Sequence, residues 1–68
     1  MDWRAIFGRN VRRLRQERGL TQEQLAFEAR IDLTYLGGIE RERRNPSLLV
    51  ICRIAEALAV APADLLRS

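Results

Sequence analysis

Helix-capping residues punctuate this chain at Asp2, Thr21, Asp32 and Ser47, and each is followed by apolar residues at helical rather than strand spacing. That punctuation limits the fold to several short helices joined by tight connections. After Asp2, the residues Trp3, Phe7, Val11 and Leu14 recur at steps of four, four and three, so they share one face, while Arg9, Arg12, Arg13 and Gln16 fall on the other. Gly19 marks the end of this helix near Arg18. Thr21 opens the second, with Gln24 at the spacing of a reciprocal capping box and an apolar face of Leu25, Ala26 and Ala29. Asp32 stands at the start of the third, whose apolar side is Tyr35, Leu36 and Ile39. Arg41-Glu42-Arg43-Arg44-Asn45-Pro46 has no periodicity and reads as a basic loop. Ser47 then caps a fourth helix with Leu48, Ile51, Ile54, Ala55 and Leu58 on one face. A fifth short helix runs from Pro62 to Arg67 and buries Leu65, with Leu66 a second candidate; Ala61 is a poor cap for it, so this element is expected to fray first. The fold class expected is therefore all-α, a compact five-helix bundle in a single domain over residues 1–68.

A chain of 68 residues has room for one modest core, and domains this small bury only about 60% of the surface of their unfolded chains. All 12 basic residues are arginine, and against nine carboxylates they leave a net charge of +3. Arginine presents a planar fork of donors suited to phosphate and to the edge of guanine. Arginine-only usage also follows from a GC-rich coding sequence, so composition alone does not decide for a polyanionic partner. The single Cys52 lies in an apolar run, cannot form an internal disulfide, and points to a reducing, cytoplasmic setting. No apolar run reaches the roughly 18 residues of a membrane span, and Met1-Asp2-Trp3-Arg4 lacks the layout of a signal peptide. With no histidine, no lysine, one cysteine and no glycine-rich phosphate cradle or metal-ligand spacing, catalysis, metals and cofactors are not expected.

Two short helices joined by a tight turn, the second followed by a basic loop, form the geometry in which one helix enters a major groove while the other braces the backbone. The segments Leu20-Thr21-Gln22-Glu23-Gln24-Leu25-Ala26, Thr34-Tyr35-Leu36, Ile39-Glu40-Arg41 and Arg44-Asn45-Pro46-Ser47 resemble the Cro and phage-repressor (Xre) family of helix-turn-helix proteins. The likeness continues through Ile54-Ala55-Glu56-Ala57-Leu58-Ala59-Val60 and Leu65, and so spans nearly the whole chain. It implies a lambda-repressor-like DNA-binding domain with the helix-turn-helix at helices 2 and 3, its core at about residues 21–41. The run Thr34-Tyr35-Leu36-Gly37-Gly38-Ile39-Glu40 is also similar to the small controller proteins of restriction-modification systems.

The resemblance implies roles position by position. Thr21 and Gln22 match phosphate-holding positions at the start of helix 2, where free amides and the helix dipole favour an anion. Leu33, Thr34 and Gly38 match base-reading positions, with Tyr35 and Gly37 beside them; Leu33 can pack on a thymine methyl and Thr34 can serve a base or a methyl. This set is poor in hydrogen-bonding groups, so direct readout is weak unless Arg41 or Arg43 contributes. The two glycines cost about 1 kcal/mol each relative to alanine, which close approach to DNA or close helix packing would return. Arg41, Arg43, Arg44 and Asn45 are expected along phosphates. Arg15 and Glu40 match a pair that ties the first helix to the end of the recognition helix.

Two positions depart from the family pattern. Arg30 and Glu42 stand where turn glycines are common, and neither favours a left-handed conformation. Leu49, Val50 and Leu66 supply an apolar patch suited to a two-fold homodimer, since one module this small covers little DNA. The expected function is sequence-specific binding of double-stranded DNA by a dimeric transcriptional regulator, on half-sites about 10 base pairs apart or a multiple of that. No small-molecule ligand or membrane partner is expected. The competing reading is an antitoxin-like module that has kept the fold to bind a partner protein.

Overall fold

Helix starts in the computed structural model, which describes all 68 residues, coincide with the capping residues. Helix α1 spans Trp3–Glu17, α2 Gln22–Ala29, α3 Leu33–Glu40 and α4 Leu48–Leu58, and a 3-10 helix follows at Pro62–Leu66. The expected five-helix bundle is therefore four α-helices and one tighter terminal element. With five residues and Pro62 in its first turn, the last segment is too short to settle into i→i+4 bonding. The Asp2 carboxylate accepts from the Arg4 amide, and the Ser47 hydroxyl accepts from the Val50 amide. Thr21 and Gln24 complete their reciprocal box at 3.0 and 2.8 Å. Asp32 occupies its cap position in extended backbone but makes no side-chain cap bond, so α3 starts without that support.

The core is a single cluster built from every helix. Phe7, Val11 and Leu14 of α1 meet Leu25, Ala26 and Ala29 of α2, Leu36 and Ile39 of α3, Ile54, Ala55 and Leu58 of α4, and Leu65. Two residues assigned to apolar faces lie outside it: Trp3 is 55% exposed and Leu48 76% exposed. Each sits in the first turn of its helix, beyond the end of the core, whose α1 stripe begins at Ile6 and Phe7 and whose α4 stripe is Ile54, Ala55 and Leu58. Periodicity assigns a face; it does not say how far along a helix the neighbours reach.

The terminal element is held at both ends. The buried Asn10 side chain donates to the carbonyls of Leu65 and Arg67, each at 2.9 Å, and Asp64 accepts from the Ala61 amide at 3.0 Å. The weak cap at Ala61 is thus supplemented by Asp64, and fraying is opposed by a buried amide on α1.

Tight turns link the helices, and three of their residues are left-handed without being glycine: Arg30 (φ 58°), Glu42 (φ 67°) and Ala59 (φ 58°). Arg30 ends α2 and Ala59 ends α4, each donating its amide back to the preceding turn. A left-handed L-residue carries a cost of roughly 1–2 kcal/mol that glycine avoids, partly offset by the greater freedom glycine loses on folding. Arg30→Gly is therefore expected to stabilise the domain by about 0.5–1 kcal/mol, read as a rise of a few degrees in Tm by circular dichroism. An unchanged or lower Tm would show that the Arg30 turn carries no strain.

Candidate functional site

The position of α3 is set by a polar cluster where three helices meet. Glu40, the last residue of α3, has a side chain only 3% exposed, and the Arg15 side chain facing it from α1 is 13% exposed. Arg15 Nε donates to Glu40 Oε2 at 2.7 Å and Nη2 to Oε1 at 2.9 Å, so the pair is bidentate. Nη1 donates to the Leu20 carbonyl at 2.9 Å, and Gln22 Nε2 of α2 donates to Glu40 Oε1 at 3.0 Å. One carboxylate thus fixes the end of α3 to both α1 and the start of α2. Hydrogen bonding by Glu40, opposed in part by burial, raises the Arg15 pKa above its ordinary value, and that cation stays charged. No buried side-chain nitrogen or oxygen in the domain lacks a partner.

Sequence reasoning paired Arg15 with Glu40 but missed Gln22's share. Its side-chain nitrogen turns inward to Glu40, whereas the backbone amides of Gln22 and Glu23 have no intramolecular acceptor. The Thr21 hydroxyl already accepts from Gln24 and keeps its proton for an outside acceptor. The anion-attracting groups at the start of α2 are therefore these amides and the Thr21 hydroxyl.

The outer edge of α3 exposes Leu33 and Thr34, with Tyr35 half buried against the core. Gly37 and Gly38 are buried, but by this chain's own arginines. A Cβ on Gly37 would lie 3.1 Å from Arg41 Nη1, and one on Gly38 would lie 2.6 Å from Arg44 Cγ and 3.2 Å from its Nε. In the unbound protein the room beside the two glycines is occupied by arginine side chains. The Arg44 guanidinium also lies 5.9 Å from the centre of the Tyr35 ring, within cation–π range. Arg41, Arg43 and Arg44 make no ion pair, and with Asn45 they are exposed in the segment that follows α3. Glu42, in their midst, is half buried and lays its side chain over Gly8 of α1, so its carboxylate stem is turned toward the domain.

Gly8 is the residue that sequence reasoning passed over. A Cβ there would collide with the Ile39 carbonyl oxygen and lie 3.2 Å from Glu42 Cγ, so α1 and α3 touch backbone to backbone at this point. A glycine inside an otherwise amphipathic arginine-rich helix was the available signal.

Leu49, Val50 and Leu66 do not form one uniform surface. Leu49 and Leu66 are exposed, while Val50 is half buried and packs on the core.

The Helix-turn-helix family model matches residues 11–65. The control protein C.BamHI of Bacillus amyloliquefaciens is 47% identical over 64 residues, covering 93% of this chain and 79% of that protein. Among solved structures, the restriction-modification controller protein C.AhdI of Aeromonas hydrophila superposes with a TM-score of 0.88 at 45% identity, over 91% of this chain and 94% of that one. The controller protein C.Esp1396I, solved as a tetramer on its natural 35 base-pair operator, gives a TM-score of 0.86 at 31% identity, over 96% of this chain and 86% of that one.

Proposed function

This chain belongs to the helix-turn-helix family, of the Xre type, and from that footing we propose that it is a small transcriptional regulator that binds operator DNA through α2 and α3. The observation that carries the reading is the exposed Leu33–Thr34 edge of a helix whose far end is locked by Glu40 and followed by three exposed arginines without carboxylate partners. Such a helix can enter a major groove without losing its register on the domain. Thr34 and Leu33 then face base edges, and the amides at the start of α2 and the side chains of Thr21, Arg41, Arg43 and Asn45 hold phosphates. The relatives named above include a tetramer on its operator, and this chain is read as a homodimer on a pseudo-palindromic site, joined through Leu49 and Leu66. It works by binding rather than by catalysis, and no helix is long and apolar enough to cross a membrane.

Selection of bound duplexes from a random pool at physiological salt tests this. An inverted repeat is expected, with Thr34→Ala relaxing preference at one or two positions of each half-site. Arg43→Ala should instead weaken every sequence alike and lower the salt slope by about 0.9 per subunit, about 1.8 for the dimer. A pool with no enriched motif would overturn the reading and favour a partner-protein module.

A further inference from the structure

The outer surface of α3 has almost nothing with which to read a base. Leu33, Thr34, Gly37 and Gly38 offer one hydroxyl between them, and no amide, guanidinium or carboxylate. Yet the bare backbone at Gly38 is not empty space. The Arg44 stem crosses it, close enough that any side chain at 38 would have to push the arginine aside, and the Arg44 head is steadied at the face of Tyr35. Arg43, one residue earlier in the same loop, neither stacks on an aromatic ring nor lies against either glycine.

We propose that Arg44 is a base-reading residue that supplies from the loop the bidentate donor α3 lacks, directed at the O6 and N7 edge of a guanine. The proposal rests on the operator-binding reading and changes the role that sequence reasoning gave Arg44, from a phosphate contact to a specificity determinant. Three features favour it. At Gly38 the Arg44 stem lies directly against the helix, closer than the Arg41 guanidinium lies to Gly37, instead of passing over a side chain. The aromatic ring restrains the guanidinium before DNA arrives, so less rotamer freedom is lost on binding. No carboxylate neutralises that guanidinium, so its donors remain available. Gly38 thereby acquires a reason: it leaves the recognition helix hollow where the arginine must lie.

The test uses the wild-type selected site and a panel in which each base pair of a half-site is replaced in turn. Arg44→Lys keeps the charge and loses the planar fork. It is expected to erase discrimination at one guanine-containing pair per half-site by roughly tenfold or more, while the other pairs and the salt slope stay as in wild type. Gly38→Ala, which displaces Arg44, should loosen the same pair. Uniform weakening across the panel, or a panel identical to wild type, would overturn the proposal while leaving the operator-binding reading in place. If the wild-type protein itself selects no motif, both readings fall together.

Discussion

Gly8→Ala is expected to lower the melting temperature of the domain by about 5–15 °C, although alanine is the better helix former by roughly 1 kcal/mol. The new methyl group would meet the carbonyl oxygen of Ile39, which belongs to the backbone of α3 and cannot rotate out of the way. Relief requires the two helices to separate, which disturbs Phe7 and Val11 on one side and Leu36 and Ile39 on the other, all fully buried. Overpacking of this kind costs about 1–3 kcal/mol and sometimes more, which outweighs the propensity gain. Thermal unfolding followed at 222 nm checks it. A melting temperature at or above wild type would mean that α1 and α3 can move apart freely, and with it would go the idea that α3 is rigidly seated. Since α3 is the proposed recognition helix, DNA affinity should fall further than the lost stability alone requires.

Removing Glu40 should be more damaging still. Glu40→Ala leaves the Arg15 guanidinium mostly buried without its carboxylate and the Gln22 amide without its acceptor. Breaking one side of a buried ion pair costs about 3–5 kcal/mol, a large share of what a domain this small possesses. Replacing both partners with methionine should cost much less, because no charge is then stranded in the interior. Urea unfolding of Arg15→Met, Glu40→Met and the double methionine variant measures this directly. The expected pattern is a double variant more stable than Glu40→Met alone, and additive losses would show that Arg15 and Glu40 do not act as a unit.

Much of the fold was legible because its determinants are local. Asp2, Thr21 with Gln24, and Ser47 form caps from residues two or three apart, and such contacts depend little on the rest of the chain. The apolar stripes are legible in direction but not in extent, which is why Trp3 and Leu48 share the apolar faces of their helices and still lie outside the core. Long-range features were harder. Arg15 and Glu40, 25 residues apart, came from resemblance, and no local pattern pairs them. Resemblance places Gln22 at a phosphate-holding position, and the bond its side-chain nitrogen also makes to Glu40, 18 residues away, is one that no local pattern shows. The close passage at Gly8 and the left-handed turn at Ala59 depend on how helices cross and end, which residue type alone signals weakly.

The Asn10 side chain joins two carbonyls that lie 55 and 57 residues further along. During synthesis the first helix therefore waits for nearly the whole domain before this buried amide finds its acceptors and Leu65 closes the core. A nascent chain halted before residue 65 would display an incomplete apolar interior and an unmatched polar group, a state suited to chaperone capture or degradation. Chains that stop short of it lack the last fully buried side chain of the core and both acceptors of Asn10, so premature termination is expected to yield a destabilised domain even though every residue that holds α3 is already present.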